Sequence, residues 1–249
     1  MAPGNVRNNA QSPASATILS GKIAVLFDCD GVLVDSEPIS LATLVDVLDH
    51  FGAPLGQSEV ARRFTGRSSA APIEHIHTET GRDITDEFKP FFYERLFARY
   101  DFELRKTPEI ETVLKALKDR NIAFCISSSS SMQRLDRTMA VTGLGHWFGD
   151  QIYSADFVAN GKPAPDLFLY AAKKMDVRPE QAVVIEDSVA GVKAAVAAGM
   201  TCIGYVGGGH YEKDRDDART RLYDAGADIV FDNMRDIADL IRSADAGEG

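Results

Sequence analysis

Six short apolar runs constrain how this chain can fold more than any other feature. Residues 22–27, 122–127, 151–154, 182–185, 202–206 and 228–231 are each short runs rich in strand-forming side chains. Such runs, apolar without alternation, suit strands covered on both faces. Helical patterns lie between most of them. Residues 108–117 open on Pro108, which favours a helix start, and repeat Ile110, Val113, Leu114 and Leu117 on one face. Residues 190–198 are alanine-rich and stop at Gly199. Strands alternating with helices predict an α/β fold, a doubly wound parallel sheet of Rossmann-like form with helices on both faces. Such sheets bind ligands beyond the C-terminal ends of their strands.

One interval breaks the rhythm. Residues 38–104 read as helices only, at 39–51, 57–64, 70–80 and 86–100, with no strand candidate among them. An all-helical block between the first two strands predicts an inserted cap domain, with connections at 35–38 and 103–108. The expected organisation is a disordered tail over 1–20, a catalytic core from 21–37 and 105–249, and a cap over 38–104. The tail is polar and lacks the apolar stretch of a secretory signal.

Composition narrows the function classes. The 249 residues carry a formal charge of -10, which argues against a nucleic-acid surface, since phosphate backbones are gripped by clustered Lys and Arg. No apolar run approaches the roughly 20 residues of a membrane-spanning helix, so no membrane partner is expected. Cys29, Cys125 and Cys202 lie far apart in apolar surroundings and read as buried thiols of a reducing, cytoplasmic compartment. Nothing in the sequence sets an oligomeric state, and a monomer is compatible with it.

Four strand ends carry residues suited to chemistry. Asp28 and Asp30 follow the first run directly, two apart and so on one side of an extended chain, with Gly31 allowing a tight turn. Adjacent carboxylates repel unless a proton or cation lies between them. Glu186 and Asp187 follow the fourth run, and hard oxygen ligands of this kind suit Mg²⁺. Asp187 or Ser188 could equally cap the next helix. Ser127 and Ser128 end the second run, where hydroxyls and free amides can hold phosphate oxygens, although a serine run also makes an ordinary loop. Lys162 lies between Gly161 and Pro163, and its ammonium could offset the carboxylates and hold a phosphoryl group.

Taken in order, these four features resemble the motifs of the haloacid dehalogenase-like superfamily of phosphotransferases. The likeness is to the branch with a helical cap that includes β-phosphoglucomutase and many sugar phosphatases. It covers roughly residues 22–240. Asp28 and Asp30 match the first motif, Ser127 the second, Lys162 the third, and Glu186 with Asp187 the fourth. The resemblance implies that Asp28 is the nucleophile and Asp30 the general acid and base. It also implies Mg²⁺ held by Asp28, Asp30 through its carbonyl, Asp187 and Glu186, with Ser127, Ser128 and Lys162 on the phosphoryl oxygens. True dehalogenases of the superfamily lack an aspartate at the position of Asp30, so halide displacement is not expected.

The implied activity is Mg²⁺-dependent hydrolysis of a small-molecule phosphate ester, a sugar phosphate in the first instance. The alternatives are a phosphomutase on the same scaffold and a non-catalytic metabolite-binding protein. β-Phosphoglucomutase carries a histidine just after its first motif, where this chain holds Ile39 and Ser40, which favours hydrolysis. In the cap, Arg67 falls in a segment resembling the loop that faces the active site, where it either holds an anionic or hydroxylated part of the substrate or is an exposed arginine in a helix connection. His75 and His77, two apart on a helix, point different ways and read as surface or packing residues. The Gly207–Gly208–Gly209–His210 run and residues 212–215 read as a surface loop that could line the opening of the site.

Overall fold

The computed structural model describes residues 18–65 and 70–244. Six parallel strands, β1 (Ala24–Phe27), β2 (Ala123–Ser128), β3 (Ile152–Ser154), β4 (Ala182–Glu186), β5 (Thr201–Tyr205) and β6 (Ile229–Phe231), form one sheet in the order β3-β2-β1-β4-β5-β6. All six expected strands are present, shifted by no more than two residues at either end. The chain runs outward from β1 to β3, then crosses back to place β4 on the other side of β1. That reversal opens a crevice at the C-terminal end of β1, where doubly wound sheets bind ligands.

Both sheet faces are buried, as the unbroken apolar runs require. Along β1, Val25 and Phe27 enter one core, while Ala24 and Leu26 enter the other. The first core is covered by α5 (Ile110–Asp119), α6 (Met132–Thr142) and α10 (Met234–Ser243). The second is covered by α7 (Asp166–Lys174), α8 (Val189–Ala197) and α9 (Arg215–Ala225). Helix α5 starts two residues later than its sequence pattern predicts. Pro108 lies in the preceding turn, and Glu109 adopts a left-handed conformation with φ of 63° before the helix begins.

Between β1 and β2 the described chain is helical: α1 (Glu37–His50), α2 (Gln57–Phe64), α3 (Ala70–Thr80) and α4 (Thr85–Glu103). These helices bury a core of their own, built on Val47, Leu48, Val60, Ile76 and Phe88. Two neighbouring segments join them to the sheet. Val34 bridges Lys106, Asp35 N–H donates to the Arg105 carbonyl, and Thr107 N–H donates to that of Leu33. Pro38 and Glu103, expected in the connections, lie inside α1 and α4 instead. Proline is tolerated there because the first turn of a helix needs no donor from it.

The start of the chain departs from expectation. Residues 18–20 form a turn, and Leu19 packs into the first core, so they are no part of a loose tail. The reason is local: Leu19 is apolar, and its carbonyl accepts from Lys22 N–H two residues before β1. The remaining tail residues, 1–17, lie outside the described residues.

Candidate active site

Strand register builds the site. Phe27 stands opposite Ile126 on one side and Ile185 on the other. The next residue on each strand, Asp28, Ser127 and Glu186, therefore falls in a single row at the C-terminal edge. Lys162, arriving on the loop before α7, is drawn into this row. Its Nζ donates to Asp28 Oδ1 and Glu186 Oε1, each at 2.6 Å, and to the Ser127 carbonyl at 3.0 Å. The Lys162 side chain is only 4% exposed and Glu186 1%. A buried ammonium is tolerable because two carboxylates share it.

Glu186 is held at both ends. Its Oε2 accepts from Ser188 N–H at 2.8 Å and from Ser188 Oγ at 2.9 Å. Ser188 caps α8 by accepting from Gly191 N–H at 3.0 Å. A methyl group at Gly191 would stand 1.8 Å from Glu186 Oε1, so only glycine lets the helix approach this closely. Ser188, and not Asp187, is the cap, which leaves the Asp187 carboxylate free for another role.

Asp30 lies in a different environment. Its Oδ1 accepts from Ser36 Oγ and from Arg134 Nη2 at 2.7 Å, and its Oδ2 accepts from Ser130 Oγ at 2.5 Å. Arg134, on the first turn of α6, also donates to Ser40 Oγ of α1 at 2.9 Å and to Tyr100 Oη of α4 at 3.0 Å. One guanidinium thus ties Asp30 to two helices of the inserted block.

Electrostatics separate the carboxylates. Burial pushes Asp28 well above the usual carboxylate range, and Lys162 opposes that shift while Glu186, Asp187 and Asp30 add to it. Asp187 is likewise raised, by burial first and then by Glu186 and Glu37. Burial acts upward on Asp30 too, but Arg134 and the bonds from Ser130 and Ser36 outweigh it and hold the group below its ordinary value. Two neighbouring carboxylates thus resist ionisation while a third is kept ionised.

Fully ionised, the cluster would carry more negative charge than Lys162 and Arg134 offset. Among the described residues no three His, Cys, Asp or Glu side chains are grouped tightly enough to hold a metal unaided. Mg²⁺ asks for less, taking one or two carboxylates with carbonyls, waters and substrate phosphate. Asp28 and Asp187 supply hard oxygens in a place short of positive charge, and the donor set fits that ion.

The sequence-predicted residues divide as follows. Asp28, Asp30, Ser127, Lys162, Glu186 and Asp187 converge on the β1 crevice. The Ser128 hydroxyl accepts from Ser130 N–H at 3.1 Å, which turns the loop so that Ser130 meets Asp30. Arg67 lies outside the described residues. Cys29, Cys125 and Cys202 are buried and unpaired. His77 contacts the Arg82 carbonyl and His75 packs beside Phe64, both apart from the cluster.

Sequence reasoning missed Arg134, Ser130 and Ser36. It also placed His210 on a surface loop, whereas the structure sets its Nε2 3.2 Å from Asp187 Oδ2 with 7% of the side chain exposed. The expected loop further ends early, because Arg215 opens α9. A usable signal existed: His210 follows β5 as Asp28, Ser127 and Glu186 close or follow their strands.

Comparison with known proteins places the chain in a family. A model of the haloacid dehalogenase-like hydrolases matches residues 24–199. The 6-phosphogluconate phosphatase of Escherichia coli is 33% identical over 178 residues, covering 71% of this chain and 79% of that protein. The β-phosphoglucomutase of Bacillus subtilis is 32% identical over 190 residues, 73% and 82% of the two chains. A crystal structure of a hydrolase of this family from Deinococcus radiodurans, with bound phosphate and sodium, superimposes with a TM-score of 0.71 at 32% identity, covering 88% of this chain and 97% of that one. Among the described residues no helix is long and apolar enough to cross a membrane. The chain belongs to the haloacid dehalogenase-like hydrolases.

Proposed function

We propose that this chain hydrolyses the phosphate monoester of a small metabolite, a sugar phosphate, through a phosphoryl group carried on Asp28. The observation that carries the reading is the contrast between the two aspartates of β1. Asp28 is buried and shares the Lys162 ammonium with Glu186, while Asp30, two residues on, is held by hydroxyls and by Arg134. One carboxylate faces the phosphoryl-binding row and the other faces the inserted helices, where a leaving alcohol would sit.

In the first step an oxygen of Asp28 bonds to phosphorus, the bond from phosphorus to the ester oxygen breaks, and that oxygen takes a proton from Asp30, which must gain it as substrate binds because Arg134, Ser130 and Ser36 keep the group ionised in the free protein. In the second, Asp30 takes a proton from water, whose oxygen displaces the Asp28 carboxylate and releases inorganic phosphate. One group can serve as acid and then as base because the first transfer leaves it deprotonated. Lys162 and the strand-end amides around Ser127 and Ser128 orient the phosphoryl oxygens and offset their charge. Asp28, the Asp30 carbonyl and Asp187 would hold Mg²⁺, with Glu186 nearby; the ion supplies the positive charge that lets one anion approach another. The helical block over 38–104 acts in this reading as a cap that excludes water and selects the alcohol, with Arg67 as a substrate contact.

A phosphomutase is the second reading, favoured by the likeness to β-phosphoglucomutase. Against it, Ser40, near the place of that family's histidine, is occupied with Arg134. The test is a phosphate-release screen over sugar and other metabolite phosphates, with Mg²⁺ and with EDTA. Release that depends on Mg²⁺ and falls below detection in Asp28→Asn is expected. Phosphorus NMR that finds only an isomeric phosphate and no free phosphate would establish the mutase instead. Substantial hydrolysis by Asp28→Asn would remove Asp28 as nucleophile.

A further inference from the structure

The loop after β5 is built around Asp187. His210 Nε2 stands 3.2 Å from Asp187 Oδ2. From the next position Tyr211 Oη donates to the Asp187 backbone carbonyl at 2.7 Å. The two rings lie against each other with centroids 3.9 Å apart, so neither moves alone. On the opposite side Gly31, at φ of 82°, leaves a notch that the carboxylate occupies. A methyl group there would stand 2.0 Å from Asp187 Oδ2 and 3.1 Å from His210 Cε1. Gly208 completes the enclosure, because a methyl group on it would meet the His210 ring at 2.8 Å. One carboxylate is thus walled by a glycine of the β1 loop and gripped through side chain and backbone by two consecutive aromatic residues.

We infer that His210, supported by Tyr211, is a positioning residue that holds the Asp187 carboxylate in the orientation needed to bind a divalent cation. The inference rests on the Mg²⁺-dependent reading above. A carboxylate left to itself rotates about its side-chain bonds and presents either oxygen, and each rotor must be frozen when the ion arrives. A ring nitrogen 3.2 Å from Oδ2, with Gly31 walling the same oxygen, restricts the rotation beforehand and leaves Oδ1 to the metal. Partners of this kind around ligating groups typically account for 10–100-fold in metal affinity. His210 Nδ1 has no hydrogen-bond partner among the described residues although the ring is buried, so the ring is located by its Nε2 approach to Asp187 and by packing on Tyr211 and Gly208.

The loop reaches one element further. Gly209 N–H donates to Asp35 Oδ1 at 3.2 Å, immediately before α1. The segment that orients Asp187 is thereby fastened to the chain leading into the helical block.

The test measures metal binding directly, by titrating the full-length protein with Mn²⁺ followed by electron paramagnetic resonance, and with Mg²⁺ by calorimetry, in the absence of substrate. Wild type, His210→Ala, His210→Gln and Tyr211→Phe are compared, with thermal denaturation confirming that each is folded. His210→Ala is expected to weaken binding 10–100-fold. His210→Gln, whose amide can still donate to Oδ2, should recover most of that loss, and Tyr211→Phe should lose a smaller factor. At saturating metal, kcat of His210→Ala should return towards that of wild type, since the ring touches no reacting atom. Folded His210→Ala protein with wild-type metal affinity would overturn the positioning role and leave the hydrolase reading intact. Wild-type protein that binds neither ion would overturn the metal reading together with this inference.

Discussion

Asp187→Asn should make the metal-free protein more stable than wild type and the Mg²⁺-loaded protein less stable. The structure places Asp187 in a buried position beside Glu186, with a neutral imidazole and no ammonium or guanidinium on its carboxylate. Burial and the neighbouring carboxylates raise its protonation point above the unfolded value of about 4. A carboxyl raised in this way favours the folded state below the unfolded value, and that contribution is lost as the pH climbs through the folded one. Each pH unit of the rise is worth about 1.4 kcal/mol. The asparagine keeps an oxygen beside His210, but the approach to an ionised group becomes one to a neutral amide, which returns about 1 kcal/mol. The net effect at neutral pH in EDTA is a gain in stability, within the about 0.5–2 kcal/mol of other substitutions that exchange activity for stability. For a chain of this size that is about 2–4 °C in Tm per kcal/mol.

Magnesium should reverse the order. Wild type gains about 2.7 kcal/mol at 100 times the metal Kd, and a variant that binds poorly gains little. The assay is urea denaturation between pH 4 and pH 8, in EDTA and in saturating Mg²⁺. The two stabilities should meet near pH 4, diverge as the pH rises in EDTA, and cross when the ion is added. Wild type equal to or above Asp187→Asn throughout EDTA would refute the claim that uncompensated carboxylate charge strains the metal-free site.

Two further outcomes follow from the same geometry. Asp30, held below its ordinary value, adds stability above the unfolded carboxyl's pKa and loses it as the pH falls through the folded one; Arg134→Met strips a buried pair of its cation, so a loss of about 3 kcal/mol at pH 7 that narrows in acid is expected in urea titrations. Gly191→Ala would drive a methyl group to 1.8 Å from the Glu186 carboxylate, so phosphate release should fall at least tenfold while circular dichroism still reports a folded chain.

The row of strand-end residues was legible because its signals are local. An apolar run that stops abruptly at a carboxylate, a serine or a glutamate describes a strand end, and parallel pairing then sets such ends side by side. Ser128 shows the limit of that reasoning, since its hydroxyl shapes the loop that brings Ser130 to Asp30. Arg134 had no local signature, being one arginine on the first turn of a helix. It matters because α6 happens to aim it between Asp30 of the core and Ser40 and Tyr100 of the inserted helices.

By itself, then, the sequence determined the alternation of strands and helices, the all-helical interruption, and the residues closing β1, β2 and β4. Each of these depends on the hydrophobic period and the turn chemistry of neighbouring residues. Only tertiary structure decided that Lys162 lies between Asp28 and Glu186, that Arg134 holds Asp30, and that His210 closes on Asp187. Those pairs join residues far apart in the chain, and their partners are chosen by how loops from separate strands pack together, which no local pattern encodes.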